Sequence, residues 1–159
     1  KADFQNIVPT IVKMPAIESF YIRNKGYNVN ITETWQKLQT WVLTNNISSY
    51  KRIALFHDNP TITPLNECQY IGCIMVEDKK SVKSDRLPNF KIAEGVYAKF
   101  DLKGKTGDVL PFIHWVYHEW LPQSEYETTT KPSYAIYNKI DFLDESNEFD
   151  LSFYVSINF

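Results

Sequence analysis

Residues 97–120, YAKFDLKGKTGDVLPFIHWVYHEW, follow the plan of residues 19–42, SFYIRNKGYNVNITETWQKLQTWV. Gly104 and Gly26 are 78 positions apart, and the pairs Ile31/Val109, Trp35/Ile113, Leu38/Val116 and Val42/Trp120 keep that offset. In both stretches a strand-like run passes through a glycine-containing turn into apolar residues spaced three or four apart. Period 2 marks a strand and period 3.6 a helix. Two more strand-like runs follow each helix: RIALFHDNP and CQYIGCIMV in the first half, SYAIYNKI and DLSFYVSINF in the second. There the offset becomes 81, matching Ala54 with Ala135 and Ile74 with Val155.

The chain therefore reads as one domain, residues 1–159, built from a duplicated strand–helix–strand–strand unit with pseudo-two-fold symmetry. Repeat one covers about residues 17–77, a polar linker carrying Pro88 about 78–89, and repeat two about 90–159. Two principal helices on a mainly antiparallel sheet make the class α+β. In the first helix Ile31, Trp35, Leu38 and Val42 form the apolar stripe, with Asn30 and Glu33 as a capping pair. In the second the stripe is Val109, Ile113, Val116, Tyr117 and Trp120, with Asp108 as the N-cap. His114 and His118 fall opposite it and are expected to face water.

Composition narrows the function classes. Net charge is −2 and the pI about 5.9, and the short KSVKSDR run carries its own acid. Phosphate neutralisation needs a basic patch, so direct nucleic-acid binding by this chain is not expected. Cys68 and Cys73, five apart in a strand, fall on opposite faces; two buried free thiols in a reducing cytoplasm follow. No apolar run approaches a membrane span, and no signal peptide is visible.

Catalytic motifs are scarce. His114 and His118 would share a helix face as two metal ligands. Zinc needs a third and usually a fourth, Glu119 lies about 100° round the helix, and the order is not H-E-x-x-H. There is no G-x-S-x-G elbow and no glycine-rich phosphate loop. Aromatic residues, by contrast, make up 15% of the chain. They fill core and sheet faces, and a groove between two similar halves is a favoured place for a small molecule.

FYIRNKGYN, ITETWQKLQTWVLTNNI, RIALFHDNPTITPLNECQYIGCIMV, IAEGVYAKFDLKG, HEWLPQSEYE and KPSYAIY form an ordered set. Together they resemble the GyrI-like or AraC-type effector-binding domain over about residues 17–157. That resemblance implies two βαββ units binding drugs and other apolar, often cationic, ligands in a groove between the halves. Such domains occur alone or fused to DNA-binding domains of bacterial transcription regulators; some relatives bind gyrase and some hydrolyse cyclopropyl compounds. One departure bears on chemistry. Where the family reads P-x-F-E-x-Y this chain has PSYAIY, Pro132 to Tyr137, so Ala135 replaces the glutamate that pairs with cations or assists hydrolysis.

Taken with that departure, the resemblance favours a domain that binds a small hydrophobic or aromatic effector, regulatory rather than catalytic, and no cofactor is expected. Tyr21, Trp41, Tyr97, Trp115, Ala135, Tyr137 and Phe149 are the expected groove residues. Neutral ligands are expected to be preferred, and Ala135→Glu to raise affinity for cationic dyes. A partner protein or a fused DNA-binding domain is a further expectation. The competing readings are a hydrolase using Glu94 or Asp101 as a replacement acid, and a gyrase-inhibitor-like protein.

Overall fold

A computed structural model describes residues 4–27, 30–78, 82, 87–138 and 148–159. Among them the chain runs β1 (Thr10–Met14), β2 (Ile17–Lys25), α1 (Ile31–Thr44), β3 (Tyr50–Phe56), β4 (Gln69–Val76), β5 (Asn89–Ile92) and β6 (Gly95–Lys105). It continues with α2 (Val109–Trp115), a π turn (Val116–Trp120), α3 (Leu121–Gln123), β7 (Glu127–Thr128), β8 (Ser133–Tyr137) and β9 (Glu148–Asn158). The fold is α+β, with a curled antiparallel sheet and two helices as expected.

Strand order is β1-β6-β9-β8-β3-β4-β2-β5, with β7 pairing β9. The order reads the same from either edge once β1, β6, β9 and β8 are matched with β5, β2, β4 and β3. Ala54 and Ala135, matched by sequence offset, are direct register partners at its centre. The two short edge strands exchange halves: β1 pairs β6, and β5 pairs β2. Within the linker expected at 78–89, residues 79–81 and 83–86 lie outside the described residues, and Asn89 already belongs to β5.

Alternation splits the core in two. Ala54, Phe56, Ala98, Phe100, Ala135, Phe153 and Val155 face the helices; Ile53, Leu55, Ile71, Cys73, Tyr97, Tyr134 and Tyr154 pack on the opposite face. Both faces are buried, which is why β4 and β9 read as almost continuous apolar runs. Trp35, Leu38 and Val42 are all buried, each such side chain contributing about 1.5–3 kcal/mol. The close approach of α1 rests on Gly72: a Cβ there would meet Leu38 Cδ1 at 2.8 Å and Thr34 Cγ2 at 3.1 Å.

Three local expectations are corrected. Asn30 starts α1 in the left-handed region, φ 59°, without a side-chain cap bond. Asp108 makes no cap bond to α2 either; its Oδ2 accepts from the backbone N–H of Lys105 at 3.3 Å, closing the preceding turn. The second helix is not one continuous α-helix, since Leu121 N–H bonds to Val116 O over the π turn. Pro122 is the physical reason: it has no N–H for the carbonyl four residues back, and its ring crowds that carbonyl in regular α geometry. His114 and His118 do face solvent, with ring centroids 5.2 Å apart.

Candidate functional site

At the centre of the sheet, β3 and β8 set Arg52, Ala54 and Phe56 beside Tyr137, Ala135 and Ser133, pair by pair. Parity turns all six towards the helices. The two alanines lower the floor there, and longer side chains close over it from the sides. Trp35, on the stripe of α1, reaches in from the first half. Its indole N–H donates to the Tyr70 hydroxyl at 2.9 Å, and the Tyr70 and Tyr137 hydroxyls share a hydrogen bond. Trp35 and Tyr137 meet edge to face, centroids 5.9 Å apart. The Arg52 guanidinium lies 5.2 Å from the Trp35 ring and 4.7 Å from the Tyr137 ring.

Burial pushes the Tyr70 hydroxyl well above its ordinary range. Burial also raises that of Tyr137, while the Arg52 charge pulls it partly back. Both phenols are therefore neutral at pH 7 and able to donate. The nearby loop is pinned by Tyr27, whose hydroxyl donates to Asp58 O at 2.6 Å and accepts from Asp58 N–H at 2.9 Å. The Asp58 carboxylate in turn accepts from Gln69 N–H at 2.6 Å, at the start of β4. Tyr27 also meets Phe56 and Tyr70 edge-on. The Asp58-Asn59-Pro60 segment thus holds the aromatic cluster in place.

The seven residues expected in a groove do not converge. Ala135 and Tyr137 share the floor just described. Tyr21 and Tyr97 lie across the sheet from it: Tyr21 packs edge-on against Phe90, and Tyr97 against Tyr134 with its hydroxyl donating to Ala93 O at 2.6 Å. Trp41 is buried against Phe20, centroids 4.9 Å apart. Phe149 lies over Gly104 at the far end of the β6–β9 pair. Trp115 stacks on Phe112 and lines a separate surface crevice of about 540 Å³ with Ile7, Pro9, Glu119 and Trp120.

Of the two acids weighed for hydrolysis, Asp101 is exposed, accepts from Ser152 Oγ at 2.6 Å and pairs with Lys99. Glu94 is exposed on the turn before β6, its carbonyl held by Lys131 Nζ. Neither reaches Ala135. Sequence reasoning passed over Arg52 and Tyr70, and took Trp35 only as core. A signal existed: Arg52 shares strand parity with Ala54 and Phe56, so a charged residue was due on a buried face.

Residues 8–157 match the model of the GyrI-like small molecule binding domain. A DNA gyrase inhibitor of Citrobacter koseri is 22% identical over 129 residues, spanning 80% of this chain and 82% of that protein. The EcmrR C-terminal domain superposes with a TM-score of 0.70 at 15% identity, covering 97% and 99% of the two chains. EcmrR in its DNA complex gives 0.74 at 12%, covering 96% of this chain and 57% of that one. SAV2435 bound to tetraphenylphosphonium gives 0.64 at 9%, covering 94% and 93%.

Proposed function

The chain belongs to the GyrI-like small molecule binding domain family, and from that premise we propose that it is a receptor for a small aromatic effector rather than a catalyst. The observation that carries this reading is the cluster of Trp35, Tyr70 and Tyr137 over the Ala54–Ala135 pair. The cluster joins side chains from both halves, so a ligand there couples to the packing of α1, β3 and β8 together. Such coupling is what an effector domain needs to report occupancy to an attached or partner protein. The likeness to a protein solved on DNA supports a regulatory role for a domain of this kind in a bacterial cytoplasm. With alanine at position 135, the floor lacks the carboxylate that the family resemblance assigns to hydrolysis.

Intrinsic fluorescence of the four tryptophans, titrated with two-ring aromatic compounds, tests the proposal. Saturable quenching, weakened about tenfold by Trp35→Leu or Tyr137→Ala with the dichroism spectrum unchanged, supports it. No saturable binding across the panel removes it. Turnover of cyclopropyl substrates above the buffer rate would instead favour the hydrolase.

A further inference from the structure

The segment before β1 and the second helix flank a surface crevice of about 540 Å³, a size that suits a small molecule. It shares no described lining residue with the cluster at the sheet centre. The N-terminal segment contributes Ile7, Val8 and Pro9, and the helix contributes Trp115, Glu119 and Trp120. Phe4 anchors the first of these walls. Its buried ring packs against Phe112 and Trp115, with centroids 5.3 and 6.1 Å away. Trp115 stacks on Phe112, and Trp120 meets Phe100 edge to face at 5.0 Å. Both indoles are thus held in place while remaining partly exposed.

The π turn assembles the second wall. At about 100° per residue, Trp120 would stand about 140° round a regular helix from Trp115. A turn closed five residues on, by Leu121 N–H to Val116 O, brings it back towards Trp115 and beside Glu119. Glu119 is the one charged side chain among the described lining residues, and no described residue pairs with its carboxylate. We propose that this crevice is a second ligand site, one that takes an alkylammonium ion. Its quaternary head meets the two indoles and Glu119, and its aliphatic tail lies along Ile7, Val8 and Pro9. A quaternary nitrogen has no N–H to donate, so ring faces and a nearby negative charge are the attractions open to it, and indole is the best such ring. The site is separate from the effector cluster and does not depend on that reading.

Three probes separate the contributions: choline, its uncharged isostere 3,3-dimethylbutan-1-ol, and hexyltrimethylammonium, which adds the tail. The indole N–H signals of the four tryptophans, followed by heteronuclear NMR on the intact chain, report where each probe binds. Hexyltrimethylammonium shifts the Trp115 and Trp120 signals saturably and leaves those of Trp35 and Trp41 in place. Choline binds the same site more weakly, and the alcohol about fivefold more weakly again. Glu119→Gln, at an exposed position, lowers the affinity for both cations about fivefold and leaves the alcohol unchanged. Equal binding of choline and the alcohol, a cation affinity that Glu119→Gln does not alter, or no shift at Trp115 and Trp120 overturns the proposal. A shift at Trp35 alone places the cation at the sheet centre, which overturns this second site and leaves the effector site standing.

Discussion

The indole N–H of Trp35 donates to the hydroxyl of Tyr70 at 2.9 Å, a buried bond that ties α1 to β4 across 35 residues of chain. Tyr70→Phe removes the acceptor and keeps the ring. Loss of one partner from a buried hydrogen bond costs about 1–3 kcal/mol, which a urea melt measures as a lower midpoint at unchanged slope. Tryptophan emission should shift as well, because the indole loses its polar neighbour. A variant of wild-type stability would show that this bond does not help to seat the helix.

Gly72 makes room for the same helix at another point. An added methyl at 2.8 Å from Leu38 Cδ1 forces the buried Leu38 side chain, or the helix that carries it, to shift. Overpacking of this kind costs about 1–3 kcal/mol. Combining Gly72→Ala with Leu38→Ala should cost less than the two changes added separately, since the second relieves the contact created by the first. Additivity in the double-mutant cycle would argue against direct contact.

Ala135→Glu is the natural way to restore the acid expected at that position. The structure adds a competitor to the outcome expected from sequence: Arg52 lies diagonally across the β3–β8 pair from that position, within reach of a new carboxylate. The single variant should therefore show no gain for cationic dyes. Ala135→Glu combined with Arg52→Met should gain about tenfold, measured by fluorescence anisotropy of the dye. A strong gain in the single variant would show that the two side chains do not meet.

Stability should fall on the alkaline side. Burial raises Cys73 to about 12 and raises the hydroxyls of Tyr27, Tyr70 and Tyr134 above their ordinary range. These groups stay neutral in the folded chain while the unfolded chain ionises, so the unfolded form gains as pH rises past about 9–10. Their full contribution is present below that point and is lost towards and above pH 12. Each group held neutral in this way contributes a slope of ~1.4 kcal/mol per pH unit. Thermal melts from pH 7 to 11 should show a plateau and then a decline, and a flat profile would contradict it. Both thiols are buried and raised, so neither should react with a thiol reagent at pH 8 until the protein is denatured.

Much of the fold was legible in the chain because it is written locally. The stripe Trp35, Leu38 and Val42 and the alternation in DLSFYVSI each follow from a period that a few neighbouring residues display. The second helix was legible as a helix but not as one interrupted by a π turn, since Pro122 acts on a carbonyl four residues away. The site was less legible. Parity alone separates Tyr21 from Phe20 and Tyr97 from Ala98, yet it does not say which face of the sheet the helices cover. Tyr21 and Tyr97 turned out to lie on the other face from Ala135.

The sequence by itself determined the two helices, the strand-like runs, the matching of Ala54 with Ala135 as equivalent positions of the two halves, and the absence of an acid at the latter position. Only the tertiary structure decided that Arg52, Tyr137, Trp35 and Tyr70 share one cluster. The physical reason is range. A side chain's face is fixed by its own strand's period, whereas neighbours on non-consecutive strands are fixed by register, which the burial of both faces of the whole sheet sets at once.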